Sequence, residues 1–165
     1  RGAAAVPAIL AYVEKNGRNR LALFFTESLG EFADERVADL LVECLLDRDF
    51  YWRPAAAKAL RKYLRVKDRA LFRKLLSDPL WGVRYWAVRA LEDLKDRESI
   101  PRFREMLNDE IYDVRAQSAK TLYAFEDQSG IPVLVAALRS SVQWFEIDYG
   151  QIAREDSWKF LKKIL

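Results

Sequence analysis

A chain of 165 residues that is 51% hydrophobic can bury a core, but it contains no histidine and therefore lacks the commonest general base and metal ligand. Ser-His-Asp, Cys-His and histidine-metal catalysis are excluded within this chain. Its net charge is +3, and Cys44, the single cysteine, lies in an apolar pattern that predicts a buried thiol in a reducing compartment. No apolar run reaches the roughly 18 residues of a membrane span, so we expect a soluble, cytoplasmic protein without cofactor or metal.

Apolar residues at helical spacing predict helices along the whole chain, separated by short polar turns. The helices are expected near residues 5–15, 18–29, 35–46, 50–64, 68–77, 80–94, 98–107, 111–125, 130–139, 142–153 and 157–165. Separators such as LKDRES and FEDQSG carry Asp or Ser suited to cap the next helix. Pro101 and Pro132 fall in the first turn of a predicted helix, where a missing N–H costs little.

The sequence repeats itself every 31 residues. Segments that begin at Asp47, Asp78 and Asp109 align without a gap, and poorer copies precede and follow them. Equivalent positions carry Arg53, Arg84 and Arg115; Leu60, Leu91 and Leu122; and Phe72, Phe103 and Leu134. One helix pair cannot enclose its own apolar side, so the repeats are expected to stack into a continuous array.

The repeat unit resembles the short HEAT-like repeats of the phycobilisome-lyase (PBS lyase) type. DPLWGVRYWAVRAL and DEIYDVRAQSAKTL carry the Asp, Val-Arg and Ala-Leu or Thr-Leu pattern best, whereas Trp52 replaces the Val in DRDFYWRPAAAKAL. The resemblance covers nearly the whole chain. It implies an all-α, right-handed α–α superhelix, a HEAT-like or armadillo-like solenoid of about five 31-residue helix pairs. We expect one such domain over residues 1–165, compatible with a fragment of a longer array.

The arginines of the motif predict a ladder of charges along the stack. Arg53, Arg84 and Arg115 each lie six residues after an aspartate, namely Asp47, Asp78 and Asp109. Such pairs are expected to fix the turns between repeats, as they do in the resembling family, rather than to contact a ligand.

In each repeat, the helix that carries the Val-Arg pattern is called the motif helix. Three positions on each motif helix lie about 180° from the core, at 100° per residue, and are predicted to face solvent. In such solenoids these helices usually line the concave face, so their exposed aromatics would form a row flanked by cations, as in binding hot spots. The candidate partner-binding residues are Phe50, Trp81, Tyr85, Arg89, Tyr112, Lys58 and Lys120. The alternative is that Trp81 and its equivalents tuck against a neighbouring repeat, which is the interpretation favoured for Trp52 and Trp86.

Charge is unevenly spread along the chain. Residues 51–77 carry nine basic side chains against one acidic side chain, whereas residues 1–50 carry more acidic than basic ones. The candidate basic patch is Arg61, Lys62, Arg65, Lys67, Arg69, Arg73 and Lys74. Its field could attract an acidic protein or a phosphate backbone; the alternative is a solvated helix face.

These features favour a non-catalytic scaffold that binds another protein or a peptide on its concave face, with no membrane partner. Two alternatives remain open at this point. One is a nucleic-acid-binding protein similar to the DNA glycosylases built from HEAT-like repeats, which the basic span and the tryptophans permit. The other is a protein of the chromophore-lyase kind, which only the repeat type suggests.

Overall fold

The computed structural model describes residues 5–16, 29–32, 34–47, 51–63 and 68–143; for residues 138–143 it describes the backbone only. Within these ranges the chain is helical and contains no strand. The α-helices are α1 (Val6–Asn16), α2 (Glu35–Leu46), α3 (Arg53–Leu60), α4 (Arg69–Leu75), α5 (Trp81–Asp93), α6 (Ile100–Glu105), α7 (Tyr112–Ala124) and α8 (Ile131–Gln143). Short 3₁₀ turns span Leu29–Glu31, Arg61–Tyr63, Arg97–Ser99, Met106–Asn108 and Gln128–Gly130.

Most helix boundaries follow the prediction, and the differences have local causes. The helix expected over 50–64 begins only at Arg53, where Pro54 fits its first turn, and it ends in the 3₁₀ turn after Leu60. Helix α8 was expected to end at 139 but runs to Gln143, because no glycine or proline interrupts its last turn. The helices predicted over 18–29, 142–153 and 157–165 lie almost entirely outside the described residues.

Helices α3, α5 and α7 pack successively against one another and form what we call the central layer. Helix α2 packs on α3, α4 on α5, and α6 on α7, so each central helix is covered by the helix that precedes it. This is the stacking expected of a helix-pair solenoid. The right-handed sense, the concave placement of these helices and the count of about five repeats remain predictions.

The core follows the repeat frame. Leu60, Leu91 and Leu122, which occupy one position of the repeat, are fully buried, and so are Phe72 and Phe103. Cys44 is also fully buried, as its apolar pattern predicted. Buried side chains of this size each contribute roughly 1.5–3 kcal/mol through the apolar surface that they remove from water.

Small residues permit close packing at two points of the stack. A Cβ atom on Gly82 of α5 would lie 3.0 Å from the side chain of Pro54 on α3. A Cβ atom on Gly130 would lie 2.6 Å from the Cα atom of Ala119 on α7. A larger residue at position 130 would collide with the backbone of α7, whereas at position 82 it would crowd a side chain.

Helices α5 and α7 end in the same way, one repeat apart. Lys95 and Glu126 adopt left-handed backbone conformations with φ of 52° and 67°. The N–H of Asp96 then donates to the carbonyl of Leu91, and the N–H of Asp127 donates to that of Leu122, both at 2.9 Å. These are Schellman motifs built on non-glycine residues. They bring Asp96 and Asp127 to equivalent places after their helices.

Candidate interaction surface

An inter-repeat ladder connects two of the motif arginines, Arg53 and Arg84, to the aspartate of the following repeat. Nη1 of Arg53 lies 3.1 Å from Oδ1 of Asp78, and Arg53 also bonds the second carboxylate oxygen. Nε and Nη2 of Arg84 donate to both oxygens of Asp109 at 2.8 and 2.9 Å. The predicted ladder is present, but its carboxylates come from 25 residues later, not six residues earlier.

The aspartate six residues earlier contributes its backbone instead. Nη1 of Arg84 donates to the carbonyl oxygen of Asp78 at 2.9 Å, and Nη1 of Arg115 donates to that of Asp109 at 2.7 Å. Asp78 and Asp109 also accept the N–H groups that open the turns, from Leu80 and from Ile111. The arginine–aspartate pairs thus fix the turns between repeats, as expected. The arginine bonds the carboxylate of the following repeat and the backbone carbonyl of its own repeat, whereas the prediction paired it with the carboxylate of its own repeat.

The pKa of Asp109 agrees with this geometry. Burial acts to raise the pKa of Asp109, but the hydrogen bonds from Arg84 and from the Ile111 N–H, with the charges of Arg84 and Arg115, outweigh it and lower the pKa. The same bond to Asp109 raises the pKa of Arg84 against the opposing effect of burial. Both groups are therefore charged at neutral pH and committed to each other.

A second ladder, which the sequence did not predict, links helices α4 and α6 to the turns that follow α5 and α7. Arg73 bonds both carboxylate oxygens of Asp96, and Arg104 donates to Asp127 from Nε at 3.0 Å. The bond from Arg73 lowers the pKa of Asp96, and the hydroxyl and N–H of Ser129, with Arg104, lower the pKa of Asp127 to about 2. The repeat spacing of Asp96 and Asp127 was the available signal.

The sequence predicts these two aspartates as helix caps. Asp127 does cap the next turn, since it accepts the N–H of Ser129 at 2.9 Å. Asp96 makes no such bond and instead accepts from the Ser99 hydroxyl. The cap prediction is therefore right for the FEDQSG separator and wrong for LKDRES.

The predicted basic patch is largely compensated by carboxylates. Arg61 donates to Asp93 at 2.7 Å and Lys62 pairs with Glu31. Arg73 pairs with Asp96. Arg69 lies 3.9 Å from Asp96 and donates to the carbonyl of Leu94 at 2.9 Å. Lys74 is exposed on α4, and Arg65 and Lys67 lie outside the described residues. Counting charge along residues 51–77 overstated the local field, because the partners lie elsewhere in the sequence.

The predicted aromatic row is exposed at both of its described members. Trp81 on α5 and Tyr112 on α7 occupy equivalent positions on packed helices, and each exposes 47% of its surface. Phe50 lies outside the described residues. Burial, with the nearby charge of Asp113, raises the pKa of Tyr112, so its phenol is neutral at physiological pH.

The other candidate partner-binding residues differ in exposure. Lys58 is exposed, but Tyr85, Arg89 and Lys120 are half-buried. Tyr85 packs against the core and meets Trp86 edge-on, with ring centroids 5.1 Å apart. These three side chains were predicted to face solvent, and neighbouring side chains cover part of each of them. We call Trp81, Tyr112 and the cations Lys58, Arg89 and Lys120 the interaction surface.

Trp86 adjoins the interaction surface, and the sequence predicted a core or inter-repeat position for it. Its ring is half-buried against the core, in agreement with that placement. Three cationic groups also lie over it: Nζ of Lys58 at 5.6 Å from a ring centroid, and Cζ of Arg61 and of Arg89 at 5.5 Å each. Such distances permit cation–π attraction. We call these three cations and the ring the cation cluster.

The next interface of the central layer is built differently. Where α3 meets α5, Arg61 lies by Trp86; where α5 meets α7, the equivalent positions hold Glu92 and Gln117. Glu92 accepts from Gln117 at 3.0 Å and from the Thr121 hydroxyl at 2.8 Å. The cation cluster is therefore confined to the α3–α5 interface among the central helices described.

The described residues contain no group of three or more His, Cys, Asp or Glu side chains that could hold a metal ion. In the same part of the chain no helix is long and apolar enough to cross a bilayer.

Comparison with known families agrees with the observed stack. The model of HEAT repeats matches residues 69–146, which include α4 to α8. The model of the PBS lyase HEAT-like repeat matches residues 25–47, which include α2. No curated protein matches the chain. The two family matches and the successive packing of α3, α5 and α7 agree that this chain carries HEAT-like repeats over residues 25–47 and 69–146.

Proposed function

We propose that this protein is a non-catalytic, cytoplasmic scaffold whose interaction surface binds an acidic segment of another protein. HEAT repeats commonly mediate protein interactions, and their stacked helices offer a long continuous surface for such contacts. The proposal takes residues 1–165 as one repeat domain.

The observation that carries the proposal is the paired exposure of Trp81 and Tyr112. Two large aromatics, each 47% exposed, occupy equivalent positions on adjacent helices of the central layer. Aromatic side chains bury much apolar surface at low entropic cost when a partner covers them, which makes them the usual anchors of interfaces. A bound segment is therefore expected to cover Trp81 and Tyr112.

The cations of the interaction surface specify the charge of the partner. Lys58, Arg89 and Lys120 occupy one position of the repeat on α3, α5 and α7. An array of like charges on one face steers and orients a partner of opposite sign. An extended segment that carries Asp, Glu or other anionic side chains beside an apolar anchor fits this surface.

The nucleic-acid alternative has less support. A duplex backbone is bound by a track of cations that release counterions. Within the candidate basic patch, Lys62 and Arg73 are paired with carboxylates, and Arg61 is paired with Asp93. The chromophore-lyase alternative draws on the repeat type of residues 25–47, and no cluster of described side chains favours it.

The proposal is tested by affinity capture from the source lysate with wild-type protein and a Trp81→Ala, Tyr112→Ala double variant. Tyr12→Ala is the matched control, because Tyr12 is a similarly exposed aromatic, at 50%, on α1. We expect a protein that wild type and Tyr12→Ala retain, that the double variant loses, and that resists nuclease. Equal retention by a folded double variant, or retention abolished by nuclease, would contradict the proposal.

A further inference from the structure

The exposed aromatics Trp81 and Tyr112 recur along the stack with the spacing of the central helices. Both occupy one position of the repeat, Trp81 on α5 and Tyr112 on α7, and each exposes 47% of its surface. Helices α5 and α7 pack against each other, and the axes of packed helices lie about 8–10 Å apart. A segment that runs across these helices therefore meets an aromatic ring about every 8–10 Å.

Of the three regular backbone conformations, polyproline II matches that spacing best. It has three residues per turn and rises about 3.1 Å per residue, so every third side chain lies on the same side, about 9.3 Å apart. The side chains on one face of a β-strand recur about every 6.6 Å. In an α-helix one turn spans about 5.4 Å and two turns span about 10.8 Å. Only the polyproline II period falls within the spacing of the stacked helices.

The polar groups of the interaction surface are hydrogen-bond donors. Among the residues that the structure describes, none accepts a bond from the Trp81 indole N–H or from the Tyr112 hydroxyl. Arg89 and Lys120 carry donors and no acceptor. The contact that the structure describes for Arg89 is the Trp86 ring, so the hydrogen-bond donors of its guanidinium remain for a ligand. Such a surface is complementary to a ligand rich in acceptors.

A proline-rich segment offers acceptors without competing donors. Proline has no N–H, and the carbonyl groups of polyproline II make no internal hydrogen bonds. A β-strand would bring N–H groups that need acceptors, and an α-helix uses its carbonyl groups internally. Proline-rich segments also dock on exposed aromatic side chains and lose little entropy, because they are extended before they bind.

The cations extend towards the aromatic residues. Arg89 lies eight residues after Trp81 on α5, about 12 Å along the helix axis. Helical side chains lean towards the N-terminal end of their helix, and Cζ of Arg89 lies 5.5 Å from a ring centroid of Trp86, three residues earlier. Lys120 occupies the same repeat position on α7. Carboxylates that face Arg89 and Lys120 would therefore also recur at every third residue of the segment.

We infer that the interaction surface binds a proline-rich segment in the polyproline II conformation, with an acidic side chain at every third residue. The segment crosses α5 and α7, and its proline rings pack on Trp81 and Tyr112. Its carbonyl groups accept from these two side chains, and its carboxylates face Arg89 and Lys120. The inference rests on the proposed function and names the class of segment that the scaffold binds.

Three peptides with a fluorescent label test the inference by anisotropy titration against the full chain. The first, Ac-PEPPEPPEPPEP-NH2, carries a glutamate at every third residue. The second, Ac-PEEPPPEPPPEP-NH2, has the same composition but no two glutamates three residues apart. The third, Ac-AEAAEAAEAAEA-NH2, keeps the glutamates and replaces every proline with alanine. We expect the first peptide to bind about tenfold more tightly than either of the others.

Variants of the protein locate the bound peptide. Trp81→Ala with Tyr112→Ala should weaken the first peptide about tenfold or more. Tyr112→Phe keeps the ring and removes the donor, so it should weaken binding about threefold. Arg89→Gln should abolish the preference for the first peptide over the second. Tyr12→Ala, the exposed aromatic on α1, is the control and should leave all three affinities unchanged.

Equal affinity for the first and second peptides, or for the first and third, would overturn the inference. So would the absence of binding by the first peptide, or binding that is unchanged in a folded Trp81→Ala, Tyr112→Ala variant. If capture from the lysate depends on Trp81 and Tyr112 while the first peptide fails, the proline-rich segment is rejected and the scaffold function stands. If neither capture nor peptide binding depends on them, both are rejected.

Discussion

Arg84 of α5 donates to both carboxylate oxygens of Asp109, at 2.8 and 2.9 Å, across the boundary to the next repeat. The two side chains expose only 10% and 9% of their surfaces. A buried pair of this kind makes each repeat depend on the one that follows it. Removing either side chain alone leaves the other as a buried charge without its partner.

Arg84→Ala should lower the free energy of unfolding by about 3–5 kcal/mol, because it leaves Asp109 buried without its partner. Arg115→Ala is the matched control one repeat later. The contacts described for Arg115 are backbone carbonyls and the Tyr112 ring, so its loss should cost only about 0.5–1.5 kcal/mol. Urea unfolding followed by circular dichroism measures both. Equal losses would show that the carboxylate pairing does not stabilise the stack.

Acid should destabilise the fold through the ladder aspartates. The pKa values of Asp96, Asp109 and Asp127 lie below the ordinary 3.8, that of Asp127 at about 2. A group whose pKa is depressed by folding stabilises the native state fully above its unfolded pKa, and this contribution is lost as the pH falls through the folded pKa. Melting temperature should therefore be steady above about pH 5 and fall steeply from pH 4 towards pH 2.

Asp127→Asn should make that acid-induced fall shallower, because one of the titrating groups is removed. Its melting temperature at neutral pH should be below that of wild type, since the charged acceptor for Arg104 and Ser129 is lost. Thermal melts between pH 7 and pH 2 provide the measurement. An unchanged pH profile in Asp127→Asn would mean that this carboxylate does not contribute to acid sensitivity.

Glu126→Gly should stabilise the protein by about 0.5–1 kcal/mol, because Glu126 holds a left-handed backbone conformation that glycine adopts without a Cβ clash. Glu126→Ala is the control, since it removes the same charge but keeps the Cβ atom. Chemical denaturation should separate the two variants. If alanine stabilises as much as glycine, the cause is the charge and not the backbone.

Gly130→Ala should destabilise more than Gly82→Ala. The new Cβ atom at 130 would meet backbone atoms of Ala119 at 2.6 and 2.8 Å, and these can move only with α7. At 82 it would meet the side chain of Pro54 at 3.0 Å, where a small adjustment suffices. The expected losses are about 1–3 kcal/mol for Gly130→Ala and less for Gly82→Ala. Thermal unfolding gives the order, and the reverse order would contradict the packing described.

The fold could be predicted from the sequence because one repeat frame fixes both helix and core. Leu60, Leu91 and Leu122 recur in register and are all fully buried. The partners of the charged residues could not be predicted in the same way. Arg84 lies 6 residues after Asp78 and 25 before Asp109, and it bonds the carbonyl of the first and the carboxylate of the second. Only the packing of successive repeats distinguishes those two roles.

The candidate site was predicted in part. Trp81 and Tyr112 are as exposed as their helical angles required. Trp86 could not be recognised as the centre of a cation cluster, because its repeat equivalents are Ala55 and Gln117 and no pattern marks the position. Lys58 and Arg61 reach it from the preceding helix pair. A contact made across repeats by one irregular residue is visible only in the folded stack.

Site-specific photo-cross-linking tests the central claim, that the exposed face of α3, α5 and α7 binds a protein, most directly. Tyr112 would be replaced by p-benzoylphenylalanine, with the same replacement at Tyr12 as the control, and the cells irradiated. The account predicts a protein adduct from position 112 that is absent from position 12 and lost when Lys58 and Arg89 are changed to Gln. The same adducts from both positions, or none from position 112, would contradict it.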